Sequence, residues 1–114
     1  MTLQAILEPF GDGLSAALAA MATPVPCYHY FRYTESTPWV VWQEDGDNSQ
    51  RSDNAVIDQG ISGTIDLYTK TEYDSAADVI QTFLNDYGAS WYLNSVQFED
   101  ETRLIHHEWV FEVV

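Results

Sequence analysis

A chain of 114 residues is long enough for one domain with a modest core, and its 46% hydrophobic residues can fill it. Four basic residues face eighteen acids, a net charge of -14. That balance excludes ordinary phosphate-directed nucleic-acid binding and disfavours an anionic membrane surface; the positive reading is a soluble protein that repels DNA or docks on basic partners.

Residues 2–21 are predicted to be helical. Thr2 can cap, and Leu3, Ile6, Leu7 and Phe10 fall on one stripe that Leu14, Ala17, Leu18 and Met21 continue. Pro9, Gly11 and Gly13 interrupt it, so a kink or break is expected there. This opening has no basic segment of the signal-peptide type, and no apolar run approaches the roughly 20 residues of a membrane span, so synthesis in the cytoplasm is expected. "TPVPCYHYF" follows, where two prolines favour extended backbone and residues 27–33 offer a short strand. It contains Cys27, the only cysteine, so no internal disulfide is possible and a reducing compartment fits.

"TPWVVWQED" is a strand with Trp39 and Val41 on one side and Val40 and Trp42 on the other. Both sides are apolar, so the strand is expected to be buried on both sides or to sit at an interface. Residues 43–59 are the most polar stretch, with five acids and one arginine, and are expected to form a long mobile loop. In "GISGTIDLYTK", Ile61, Gly63, Ile65 and Leu67 share a core face while Ser62, Thr64, Asp66 and Tyr68 share a wet one. "TEYDSAADVIQTFLNDYG" is a helix capped by Asp74 or Ser75, striped by Val79, Ile80, Phe83, Leu84 and Tyr87, and stopped at Gly88. "WYLNSVQF" and "LIHHEWVFEVV" form a closing hairpin around "EDETR", with Trp91, Leu93 and Ser95 alternating against Tyr92, Asn94 and Val96. The expected architecture is one α+β domain over 1–114. It has a mainly antiparallel sheet of four to five strands, with two helices packed on one face.

Few residues suggest chemistry. Along the last strand His107 lies with Ile105, Trp109 and Phe111, whereas His106 lies with Leu104, Glu108 and Val110. The two histidines cannot chelate one ion together. His106 and Glu108 share a face, but a metal needs at least three ligands and no third is predictable, so no metal is expected. Cys27 and His29 share a strand face without any sign of an oxyanion hole, which favours a core cysteine over a nucleophile. Asp45, Asp47 and Ser49 alternate like calcium ligands but lack the closing glutamate. There is no phosphate-binding glycine loop and no basic–aromatic stripe. An enzyme and a cofactor are therefore not expected; a binding or assembly role is.

Read whole, the order of elements resembles that of the small tail terminator proteins of long-tailed bacteriophages and prophages, also called tail completion or head–tail joining proteins. The resemblance rests on the opening helix leading into "PVPCYHYF", on "TPWVVWQED", on "ISGTIDLYTKTEYDSAADVIQTFLND" after a polar loop, and on the closing "HHEWVFEVV". It implies a non-enzymatic α+β subunit of a ring, commonly a hexamer, that caps the tail tube and joins it to the head connector, in the virion after synthesis in a host bacterium. It carries no catalytic residues over. Under that reading Trp39, Trp42, Trp109 and His106 are candidates for subunit or partner contacts. Glu44, Asp45, Asp47, Arg51, Asp53 and Asp58 are candidates for a lumen- or tube-facing loop, where negative charge would keep transiting DNA from sticking. Two rivals stand beside it. One is a head–tail adaptor or minor tail protein; the other, suggested by the charge, is a DNA-mimic or immunity-type inhibitor.

Overall fold

The computed structural model describes residues 2–47, 50–52, 55–58 and 60–114. In chain order the elements are α1 (Leu3–Ala19), β1 (Cys27–His29), β2 (Trp39–Asp47), β3 (Gln50–Ser52), β4 (Ala55–Asp58), β5 (Ile61–Thr69), α2 (Ser75–Tyr87), β6 (Ser90–Glu99) and β7 (Leu104–Val113). Five strands form one sheet in the order β1-β2-β5-β7-β6, and β3 pairs with β4 separately. All pairings are antiparallel except β1 with β2. The α+β class and the mainly antiparallel sheet match the sequence reading. The parallel first pair does not: the connection over residues 30–38 carries the chain back before β2 begins.

Alternation along the strands gives the sheet two different faces. Val40 and Trp42 of β2, Ile61, Ile65 and Leu67 of β5, and Trp109, Phe111 and Val113 of β7 point to one side. They form a single buried core with Ile6, Leu7, Phe10, Leu14 and Leu18 of α1 and Ala76, Ile80 and Leu84 of α2. Phe10 lies at its centre, stacked on Phe111 with ring centroids 4.5 Å apart and edge-on to Trp42, Phe83 and Tyr87.

Helix α1 runs unbroken from Leu3 to Ala19 with Pro9 inside it, so the expected break is absent. Its glycines serve close approach instead. A Cβ on Gly11 would sit 2.3 Å from Trp42 Cζ2, and one on Gly13 would sit 2.8 Å from Phe83 Cε1. Helix α2 starts and stops as its sequence implies. Asp74 caps it by accepting from the Ala76 N–H, and Gly88 ends it at φ 85°.

The described residues of the 43–60 segment differ from the expected loop. Strand β2 continues through Asp47, pairing with β5 as far as Ile61, and β3 and β4 form a second hairpin. A uniformly polar stretch can ride an extended ribbon as well as a coil, and composition alone does not separate the two. Glu44, Asp45 and Asp47 are thus strand residues of β2, Arg51 lies on β3 and Asp58 on β4, while Asp53 lies outside the described residues.

The closing hairpin carries a second departure. A β-bulge between Leu93 and Ser95 breaks strict alternation in β6. Leu93 lies opposite Trp109, Val96 opposite His107 and Phe98 opposite Ile105. The three apolar residues Leu93, Val96 and Phe98 therefore project to the core side, with Val96 on the side of Leu93 rather than against it.

Candidate functional site

The sheet face away from the core carries the most chemically distinctive cluster. Asp66 of β5 lies directly across from Glu108 of β7, and Tyr68 directly across from His106. Alternation puts all four on that face. His106 Nε2 is 2.7 Å from Asp66 Oδ1, and one donor atom each from Asp66, His106 and Glu108 lie within 4.8 Å of one another. Asn94, the extra residue of the β6 bulge, donates from Nδ2 to Glu108 Oε1 at 2.7 Å. Burial pushes the Asp66 carboxyl above its ordinary range; the hydrogen bond and charge of His106 offset part of this, and the nearby charge of Glu108 adds to it.

A row of flat groups orients the imidazole. His106 stacks on Tyr68 with centroids 4.2 Å apart, Tyr68 stacks on Trp39 at 5.2 Å, and the Arg32 guanidinium covers Trp39 at 4.1 Å. Burial, then the charges of Asp66, Glu99 and Glu108, push the Tyr68 phenol above its ordinary value. The cation at the end of the row thus lies two rings away from the acidic cluster.

Other sites take different forms. His107, on the core side, stacks over Trp109, and its Nδ1 is buried without a hydrogen-bond partner. Burial holds its pKa below the ordinary histidine value. Near α1, His29 is sandwiched between Tyr30 and Trp42 at 3.8 and 3.9 Å, and Glu44 lies 2.7 Å from His29 Nε2 and accepts from the Tyr30 hydroxyl at 2.9 Å. Burial alone would raise Glu44, but the bonds from Tyr30, its own backbone N–H and His29 outweigh it and leave the carboxyl below its ordinary range. These groups border a groove of about 540 Å³ beside α1. Cys27 also lines it, but burial pushes its thiol up to about 12, which leaves no thiolate for nucleophilic chemistry at neutral pH.

The three tryptophans singled out from sequence are all internal. Trp109 is 0% exposed and donates from Nε1 to Gln81, Trp42 is 5% exposed in the core, and Trp39 is 3% exposed beneath Arg32. Rings buried this far by their own chain leave a neighbour little of their surface. His106, by contrast, keeps part of its side chain open. Asp66 and Asn94 are the residues that sequence reasoning did not bring to this place. The wet-face pattern of β5 marks Asp66 as outward, but only the pairing of β5 with β7 sets it beside His106.

Exposed large apolar side chains lie elsewhere, at Tyr30, Phe31 and Tyr33 and along β6. Strand β6 is an edge of the sheet, and Tyr92, Leu93, Val96 and Phe98 on it are 57, 44, 52 and 53% exposed. Residues 90–98 carry no charged side chain, within a protein of net charge -14. No helix among the described residues is long and apolar enough to cross a membrane. The sequence matches no family model, and no curated protein matches it.

Proposed function

We propose that this protein is a non-enzymatic assembly subunit that self-associates through the β6 edge, in the manner of a phage tail terminator. The carrying observation is the edge strand β6, which over residues 90–98 has no charged side chain and exposes Tyr92, Leu93, Val96 and Phe98, in an otherwise strongly acidic molecule. Exposed edges are normally blunted by lysine, proline or inward charge, because their free N–H and C=O groups invite another strand. Residues 90–98 contain none of these, and the single bulge at Asn94 is their only interruption. Acids elsewhere keep copies soluble and repel misaligned contacts, so a second copy meets least repulsion along residues 90–98.

The order of elements supports the specific form. It resembles tail terminators, in which the subunit joins a ring, commonly a hexamer, between tail tube and head connector. A head-to-tail ring uses two different patches on each subunit, one of which would be β6. The acids Glu44, Asp45 and Asp47 at the far end of the sheet from β6 would then belong to another surface, suited to repelling DNA in a lumen. The product is a virion component made in the host cytoplasm.

The test is absolute mass by light scattering over a wide concentration series, on the wild type and on Phe98→Lys. The expected result is a closed multimer that dissociates in the variant. A strict monomer at every concentration would overturn self-association. A monomer that instead inhibits a nuclease or another DNA-binding enzyme would favour the DNA-mimic reading.

A further inference from the structure

We infer that Asp66, His106 and Glu108 form a binding site for a divalent first-row transition ion, with Zn²⁺ the ion the donor set suits best. The inference does not depend on the assembly reading. One imidazole nitrogen and two carboxylates are three protein ligands, the number found in open zinc sites whose fourth position is taken by solvent. Thiolate is absent from the set, and an imidazole disfavours the all-oxygen shells of Ca²⁺ and Mg²⁺.

The geometry needs little change. Donor atoms around a tetrahedral zinc stand about 3.3 Å apart, given bonds of about 2.0 Å. Here the three lie within 4.8 Å of one another, and His106 Nε2 and Asp66 Oδ1 are 2.7 Å apart. Opening that pair by about half an ångström, and adjusting the others within their 4.8 Å limit, is within the reach of side-chain torsions. The backbone already fixes the frame, because β5 and β7 are paired without a shift from Ile61↔Val113 to Thr69↔Ile105.

The surroundings resemble those of a supported site. Tyr68 holds the plane of the imidazole by stacking, and Asn94 fixes Glu108 through Oε1, leaving the other carboxylate oxygen for an ion. Electrostatics points the same way. Two half-buried carboxylates face each other across paired strands, a like-charge pairing that His106 beside Asp66, or a cation between the three, relieves. Among the described residues neither is paired with a lysine or arginine.

The experiment is calorimetric titration of ZnCl₂ into the full chain at neutral pH after chelator treatment and desalting, alongside His106→Ala, Asp66→Asn and His29→Ala. The expected result is one zinc per chain, with affinity reduced by about tenfold or more in the first two variants and unchanged in the third. Circular dichroism checks that each variant folds. Should a variant fail, the imidazole nitrogen shifts of His106 in the wild type decide, because zinc ligation moves the Nε2 signal. Absence of binding, equal binding by His106→Ala, or an unmoved His106 signal would each overturn the site. Binding of MgCl₂ as tight as that of ZnCl₂ would overturn it too, by showing that the imidazole is not a ligand.

Discussion

Gly11 lies mid-helix in α1, and replacing it with alanine separates two physical accounts of it. If the glycine merely loosens the helix, alanine should stabilise the protein by about 0.5–1 kcal/mol through helix propensity. Packing predicts the reverse. The added Cβ would lie 2.3 Å from Trp42 Cζ2 and 3.0 Å from Cε2. Carbon atoms attract best at about 3.5–4.0 Å, so the indole must retreat by about 1 Å or more. It has little room: Trp42 is 5% exposed, stacked on His29 at 3.9 Å and edge-on to Phe10 at 5.7 Å.

Overpacking of this kind costs about 1–3 kcal/mol, so after the propensity gain Gly11→Ala should lose about 1–2 kcal/mol. At about 4 °C per kcal/mol for a domain of this size, Tm should fall by about 4–8 °C. Urea unfolding followed by tryptophan fluorescence gives the same quantity independently. The double variant Gly11→Ala, Trp42→Leu should cost less than the sum of the singles, because the clash is gone when the indole is gone. A higher midpoint for Gly11→Ala alone, or strict additivity in the double variant, would refute the contact account.

Two further predictions concern the caps and the cysteine. Asp74 accepts from the Ala76 N–H and from Thr69 Oγ1 at 2.6 Å, and Thr69 is 1% exposed. Asp74→Ala should therefore cost about 2 kcal/mol in thermal unfolding, the sum of a lost cap and a buried hydroxyl without its acceptor, whereas Asp74→Asn should lose less. Cys27, raised from 9.0 to about 12 by burial, should react with iodoacetamide far more slowly in the native protein than in urea at pH 8. Because its folded pKa is the higher one, its stability contribution is complete below pH 9 and is lost as pH rises toward 12, and Cys27→Ala should flatten that alkaline decline in a melting series.

What the sequence discloses is whatever local chemistry decides. Helix α2 is legible because Asp74, the Ile80–Leu84 stripe and Gly88 each act within a turn or two of themselves. Strand β5 is legible because its alternation is strict. The opposed sides of Trp39 and Val40, and of His106 and His107, follow from the same rule of two and hold in the structure. Legibility fails where a distant partner decides. Gly11 reads as a helix breaker until Trp42 of β2 is seen against it. The polar stretch after Gln43 reads as a loop because its pairing with β5 cannot be seen in its composition. Trp39 and Trp42 read as interface residues because nothing local states that Arg32 covers one and α1 the other. The acid cluster is hidden for the same reason, since Asp66 and His106 are 40 positions apart.

The two surface features of most interest trace to one inserted residue. In an unbulged β6 the alternation that puts Leu93 on the core side would put Val96 on the other. The bulge at Asn94 instead leaves Leu93, Val96 and Phe98 on the same side, making one apolar band along the edge. The same bulge aims the Asn94 amide at Glu108, on the opposite face of the sheet. A bulge twists an edge and normally discourages pairing, so residues 90–98 combine one device against pairing with an absence of charge. The uncharged band and the supported carboxylate are then two outcomes of a single backbone irregularity. The edge proposed to recruit copies and the Asn94 amide that would support the proposed cation site thereby share one strand, with the ligands themselves on β5 and β7.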